Sequence, residues 1–155
     1  MKDQDFMRRA IALSEESVQN GGGPFGAVIV KDGVIVGEAS NSVTPDNDPT
    51  AHAEVNAIRH ACRRLKTFNL EGCTIYTSCE PCPMCLGAIY WAHIGKIYYG
   101  NNRKDAAEIG FDDDFIYREI GVPLHERSVR MEPLLREEAL KTFSHWREKE
   151  DKTEY

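Results

Sequence analysis

The sequence predicts an α/β fold in which helices cover the faces of a layered sheet, and three observations support this prediction. The chain has 155 residues, 41% of them hydrophobic, which suits a single domain with a sizeable core. Two β-branched runs flank an Asp-Gly turn at positions 32–33, the usual signature of a β-hairpin. Strand-like runs then alternate with helix-like segments, a pattern typical of α/β proteins. We therefore expect one domain over residues 1–155.

The first third of the chain is predicted to contain one helix and the hairpin. Apolar residues recur at helical spacing over residues 3–20, and the Asn-Gly-Gly-Gly-Pro stretch at 20–24 ends this helix. The hairpin strands cover residues 25–30 and 34–38. Because the first strand is almost entirely apolar, we expect it in the centre of the sheet with both faces covered.

A second helix is predicted after a polar loop over residues 41–49. Asp48 and Pro49 are typical of a helix start, with Asp48 as the N-cap and Pro49 in the first turn. One apolar stripe along this helix contains Val55, Ile58, Cys62 and Leu65. A third strand is predicted over residues 73–78.

The third strand is predicted to begin a strand–helix–strand unit, which is followed by a C-terminal region with weaker patterns. A helix over residues 82–93 and a strand over 96–100 complete the unit. Beyond it we expect a short helix within 101–110, a short strand at 129–131 and a last helix over 134–149.

Two short motifs, far apart in sequence, carry the residue types of a metal site. His52 and Glu54 fall in the first turn of the second predicted helix, and Cys82 and Cys85 begin the third. One imidazole and two thiolates are ligands that zinc accepts, and three protein ligands leave a fourth position open. Glu54 lies close enough to serve that open position without being a ligand. The motifs therefore predict a hydrolytic zinc site.

Other interpretations of the cysteines remain open. The Cys82-x-x-Cys85 pair alone is compatible with a redox dithiol, although the His-x-Glu motif upstream favours a metal. A structural zinc needs four protein ligands, and the candidates for the fourth are Cys73, Cys79, His60 and His93. We expect Cys79 to precede the helix and point elsewhere, because Glu80-Pro81 follows it and a residue before proline avoids helical geometry.

Charge and composition restrict the partners and the compartment. The net charge is −6, so a nucleic-acid partner is not expected. The sequence shows no signal-peptide pattern and no apolar run of about 18 residues, which predicts no membrane span. The five cysteines are an odd number without a secretory context, which predicts a reduced, cytoplasmic protein.

The motifs His-Ala-Glu and Pro-Cys-x-x-Cys resemble those of the zinc-dependent nucleobase and nucleoside deaminases. Within that group, residues 22–30, 47–54, 76–92 and 110–117 are similar to the small bacterial guanine deaminases. The resemblance implies a three-layer α/β/α cytidine deaminase-like fold, with a mixed central sheet and helices on both faces. It also implies one zinc ion per chain, Glu54 as the proton shuttle, and hydrolysis of guanine at C2 to xanthine and ammonia in purine catabolism or salvage.

The same resemblance assigns roles to side chains around a small-molecule purine. Asn41 would hydrogen-bond the purine, and Asp113 would contact it or assist a second proton transfer. The sequence does not decide which of the three aspartates at 112–114 faces inward. Phe25 and Trp91 would pack around the base, an arrangement that suits aromatic faces.

The C-terminal segment is expected to act across a homodimer. In the family that this chain resembles, a segment corresponding to about residues 134–155 is exchanged between subunits. By that resemblance, Tyr155 would close the pocket of the partner subunit.

Three alternatives to guanine deamination remain open at this point. One is adenosine deamination in tRNA, which needs a surface for the phosphate backbone that the net charge of −6 disfavours. A second is deamination of guanosine or cytosine. A third is a zinc-stabilised binding domain without turnover, against which the intact Glu54 argues.

Overall fold

The computed structural model describes residues 2–155, which form two compact units, one ending at Asp114 and one spanning Phe115–Tyr155. In chain order the elements are α1 (Asp3–Gln19), β1 (Gly26–Lys31), β2 (Val34–Ser40), α2 (Val43–Asp46), α3 (Ala53–Leu65), β3 (Cys73–Cys79), α4 (Pro83–Trp91), β4 (Lys96–Asn101), α5 (Arg103–Glu108), α6 (Asp114–Gly121), a 3-10 turn (Leu124–Glu126) and α7 (Arg136–Glu148). Among the described residues, no helix has the length and apolar character needed to cross a bilayer.

The four strands form one mixed sheet in the order β2-β1-β3-β4. β1 pairs antiparallel with β2 and with β3, whereas β3 and β4 are parallel. The hairpin turn is made by Asp32 and Gly33, which both have positive φ, as a tight hairpin turn requires. The parallel pair is joined through α4, the crossover that a parallel pair needs.

Helices cover both faces of the sheet, which confirms the predicted three-layer fold. On one face α1 packs its apolar side chains against Val28, Val30 and Tyr76. On the other face, α3 and α4 pack against Ala27, Ile29 and Ile75. The two sets alternate along β1 because successive strand residues point to opposite faces. β1 is therefore the doubly covered central strand that its apolar sequence predicted.

The predicted start of the second helix at Asp48 is wrong, because α3 begins at Ala53 with His52 as its N-cap. The Asp48 carboxylate instead accepts hydrogen bonds from the backbone N–H and the hydroxyl of Thr50, at 2.9 and 2.7 Å. Asp48 therefore caps a local turn, a conformation that competes with helix formation.

The apolar stripe predicted along α3 lies beside the most deeply buried face of the helix rather than on it. That face carries Ala53, Ala57 and Ala61, each fully buried. The helix approaches β2 so closely that a Cβ on Gly37 would lie 2.6 Å from the carbonyl oxygen of Ala57. The close approach leaves room only for small residues, so the larger Ile58 packs at the edge of the core.

Further differences concern the loops and the C-terminal unit. The predicted loop 41–49 contains the short helix α2, and the acidic stretch at 112–114 leads into α6. The strand predicted at 129–131 is wrong, because Val129 is 80% exposed and no described strand pairs with it. The last helix begins two residues later than predicted, since Leu135 has a φ of 55°, outside the right-handed helical region.

Candidate metal centre and active site

The fold brings the ends of three strands to one edge of the sheet. Because β1 is antiparallel to both β2 and β3, and β4 is parallel to β3, the carboxyl ends of β2, β3 and β4 share that edge. Open α/β sheets place their ligand clefts beyond such ends. The segments that follow these strands carry Asn41, His52, Cys82 and Asp113. They meet around a cavity of about 380 Å³.

Three side chains at this edge form a compact set of metal ligands. His52 and Cys82 are the N-caps of α3 and α4, and Cys85 lies one turn into α4. His52 Nδ1 lies 3.5 Å from Cys82 Sγ and 3.5 Å from Cys85 Sγ. Tetrahedral zinc with bonds of about 2.0 Å to nitrogen and 2.3 Å to sulfur separates such atoms by about 3.5 Å. The observed spacing therefore fits zinc.

The charges of the two thiols also fit a divalent cation. Hydrogen bonds from Cys85 and His52 hold the pKa of the Cys82 thiol far below its ordinary value. The hydrogen bond between the two sulfurs, together with burial, raises the pKa of Cys85. The site thus holds one thiolate readily and resists a second. A zinc ion supplies the positive charge that both thiolates need.

The structure supplies no fourth protein ligand among the described residues. The cluster of ligand atoms lying within 4.8 Å of one another consists of His52, Cys82 and Cys85. Cys79 lines the cavity, but its sulfur is not part of this cluster. A three-ligand site favours a catalytic zinc over a structural one.

Glu54 is a carboxylate buried beside these ligands. It lies in the first turn of α3, is 6% exposed and lines the cavity. Burial raises its pKa to about 7. A carboxyl group whose pKa lies near neutrality can both accept and return a proton, which is the requirement for general acid–base chemistry.

Asn41 is nearly buried in the cavity wall. It is 8% exposed, and its side-chain Oδ1 accepts hydrogen bonds from the backbone N–H groups of Gly23 and Val43, at 3.3 and 3.1 Å. Asn41 thus caps a turn and lines the cavity at the same time, and its amide nitrogen is the group left to meet a ligand.

Of the three aspartates at 112–114, the cavity is lined by Asp113. Burial raises the pKa of Asp113, and the charge on Cys82 raises it further. Asp112 and Asp114 line a separate groove together with Arg103. The backbone therefore orients the middle carboxyl group toward the metal ligands. The sequence alone did not show which of the three carboxyl groups would face inward.

Two aromatic rings form part of the wall. Phe25 and Phe111 both line the cavity, and their rings meet edge to face with centroids 5.0 Å apart, a favoured aromatic geometry. Phe111 was missed as a wall residue. Its position two residues before Asp113 was the available signal.

Trp91 and Tyr155 are not among the described residues that line this cavity. Trp91 is the last residue of α4 and is 67% exposed. Tyr155 ends the second unit and is 76% exposed. Their roles toward a substrate stay predictions.

An ion pair that sequence reasoning missed joins two of the segments around the cavity. Arg103 Nε lies 3.1 Å from a carboxylate oxygen of Glu80, and the Arg103 backbone N–H donates to the other oxygen at 3.1 Å. Glu80 follows β3 and Arg103 begins α5. The pair therefore fixes the start of the segment that leads to Asp113.

The family described as the cytidine and deoxycytidylate deaminase zinc-binding region matches residues 1–101. The chain belongs to this family. Its deaminase relatives include guanine deaminase of Bacillus subtilis strain 168, 54% identical over 156 aligned residues and 100% of both chains. The X-ray structure of the B. subtilis enzyme matches this fold with a TM-score of 0.97, over 100% of this chain and 99% of that one.

Other deaminases are similar at lower identity. A tRNA-specific adenosine deaminase of Aquifex aeolicus is 44% identical over 99 residues, which covers 64% of this chain and 66% of that one. The structure of a guanine deaminase from Nitrosomonas europaea has a TM-score of 0.70 at 29% identity, covering 72% of this chain and 65% of that one.

Proposed function

We propose that this chain hydrolyses guanine to xanthine and ammonia in purine catabolism or salvage. The observation that supports this most directly is the full-length likeness to the B. subtilis guanine deaminase, at 54% identity. The A. aeolicus tRNA deaminase is less similar, at 44% identity over 64% of the chain. A cavity of about 380 Å³ that is walled by Phe25 and Phe111 suits a flat heterocycle.

In this proposal Glu54 carries the protons of the reaction. Zinc held by His52, Cys82 and Cys85 supplies the Lewis acidity that makes water a nucleophile near neutral pH. Glu54 accepts a proton from the attacking water and returns it to the ring nitrogen beside C2, and then passes the second water proton to the amine as the C2–N bond breaks. The oxygen of water replaces the amine at C2, so one guanine and one water give one xanthine and one ammonia.

Three other side chains would bind the base. The amide nitrogen of Asn41 donates to an acceptor on the purine. The Asp113 carboxylate accepts from a purine N–H or takes part in a second proton transfer, and its position beside the cluster supports either role. Phe25 offers an apolar ring to the base.

We also propose a cytoplasmic homodimer in which the C-terminal segment acts across the interface. In support, none of the residues 115–155 is buried in the single chain. Yet this segment carries large apolar side chains, among them Phe115, Ile120, Val129, Leu134, Phe143 and Trp146. Apolar surface on this scale marks an interaction site, and in this proposal a second copy covers it, with Tyr155 closing the partner's pocket. Trp91 would pack around the base.

The substrate is tested by measuring ammonia release from a panel of guanine, guanosine, cytosine, adenine and tRNA. We expect guanine to give the highest kcat/KM, because the chain is related over its full length to a guanine deaminase. A higher kcat/KM with any other member of the panel would replace guanine as the substrate. Release of ammonia from none of them would favour a binding domain.

A further inference from the structure

A buried hydroxyl on α1 holds the backbone of Asn41. Ser17 Oγ donates to the Asn41 carbonyl oxygen at 3.0 Å, and Ser17 is 3% exposed. The chain then turns back on itself, since the Gly22 N–H donates to the Ser17 carbonyl oxygen at 2.8 Å. Ser17 is therefore bonded both to the cavity residue Asn41 and to the glycine turn that forms the adjacent wall.

The same turn fixes the direction of the Asn41 carboxamide. Backbone N–H groups of Gly23 and Val43 both point at its side-chain oxygen. Two donors can be met only by an oxygen, so the NH₂ group must face the other way. Asn41 therefore presents a hydrogen-bond donor to the cavity and has no acceptor to offer there.

Glycine is required where the turn passes Ser17 and Asn41. A Cβ at Gly22 would collide with the Asn41 carbonyl oxygen and would lie 2.5 Å from Ser17 Oγ. A Cβ at Gly23 would lie 3.4 Å from Asn41 Oδ1, an ordinary contact. A side chain at position 22 would thus break the hydrogen bond between Ser17 and the Asn41 carbonyl oxygen.

We propose that Ser17 is a positioning residue for the deamination and acts through Asn41. It fixes the Asn41 backbone so that the carboxamide meets the substrate as a donor. The purine must then place an unprotonated ring nitrogen or a carbonyl oxygen opposite Asn41. This inference rests on the proposed function, and it adds a residue of α1 that does not line the cavity.

The test is a double-mutant cycle between Ser17→Ala and Asn41→Ala, with kcat and KM measured for guanine. We expect Ser17→Ala to lower kcat/KM about tenfold, mainly through KM, as the loss of one well-placed hydrogen bond does. In the Asn41→Ala background it should cause no further loss, because residues that act as a unit are not additive.

Ser14→Ala is the matched control. Ser14 lies one turn earlier on α1, and its hydroxyl donates to the carbonyl oxygen of Ile11 in the same helix, at 2.6 Å. We expect unchanged kcat/KM for this variant. Zinc content and the thermal midpoint are measured for every variant. If Ser17→Ala does not fold, the cycle is run with Ser17→Cys, which keeps the size of the side chain and replaces the hydroxyl with a weaker donor.

Three results would overturn either the positioning role of Ser17 or the proposed function. If Ser17→Ala lowers kcat/KM by the same factor with and without Asn41, Ser17 acts on the fold in general and the positioning role is wrong. Equal values for Ser17→Ala and Ser14→Ala overturn it as well. If the wild-type protein releases no ammonia from guanine, the proposed function fails, and this inference fails with it.

Discussion

At the scale of single residues, the site depends on where two helices begin. His52 and Cys82 occupy N-cap positions, so their side chains point past the helix ends toward each other. The positive ends of both helix dipoles face the same point and favour thiolates there. His52, Glu54, Cys82 and Cys85 could be recognised from sequence, because a catalytic metal site requires particular side chains at particular spacings.

The choice among the three adjacent aspartates could not be made from sequence. Three adjacent aspartates have identical side chains, so only the backbone conformation decides where each one points. Here that conformation changes at Asp114, where α6 begins. Ser17 gave no signal either, because its partner Asn41 is 24 residues away and becomes its neighbour through the fold. Contacts of this kind depend on tertiary structure.

Asp113→Asn should lower kcat/KM for guanine about ten- to hundredfold, because a hydrogen bond to a charged group contributes about 1.5–3 kcal/mol. The control is Asp112→Asn, which keeps the oxygen that accepts from the Asp114 N–H and should leave kcat/KM unchanged. If the two variants lose activity equally, Asp113 has no special role.

At the scale of elements, hydrophobic periodicity predicted the helices and strands that build the core. It failed where local hydrogen bonds compete with packing, as in the turn around Asp48. It also gave a wrong strand at 129–131 and did not predict α6, because none of the residues 115–155 is buried in the single chain and periodicity reports on burial. The last helix was nevertheless predicted within two residues of its start.

The first turn of α1 is attached to the sheet by Asp3. Its carboxylate accepts from the hydroxyls of Tyr76 at 2.6 Å and Tyr98 at 3.1 Å. These hydrogen bonds, first that from Tyr76, lower the pKa of Asp3 below its usual 3.8. A carboxylate with a lowered pKa in the folded state stabilises the protein above the unfolded pKa, and the effect is lost as the pH falls through the folded pKa.

Asp3→Asn should therefore lower the thermal midpoint at pH 7 and have a smaller effect below about pH 4. Melting curves of both proteins across this pH range check the prediction. Tyr76→Phe, which keeps the ring and removes the hydroxyl, should show the same trend. A difference in midpoint that does not depend on pH would mean that the carboxylate charge is not involved.

At the scale of the whole molecule, we expect a dimer in which one chain completes the site of the other. Removal of Tyr155 should lower kcat/KM about three- to tenfold, the effect expected for one lost contact of this kind, and should leave zinc content unchanged. Glu154→Gln is the control and should retain activity. Unchanged kinetics without Tyr155 would reject its role in closing the pocket.

Mixing two impaired proteins tests whether Tyr155 acts across the interface. A hybrid of Glu54→Gln chains with chains lacking Tyr155 contains one site that has both Glu54 and Tyr155 of the partner subunit. Activity should therefore rise on mixing if subunits exchange. If Tyr155 acts within its own chain, the mixture should show only the average of the two parent activities.

The central claim is that Glu54 moves the protons of guanine hydrolysis at a zinc site. The most direct test compares xanthine formation by wild-type protein and Glu54→Gln, with zinc per chain measured in both. We predict about one zinc in each protein, because glutamine has the same shape as glutamate and Glu54 is not a ligand. We also predict a loss of kcat of about 10²–10⁴-fold. A zinc-loaded Glu54→Gln protein with near wild-type kcat would contradict the account.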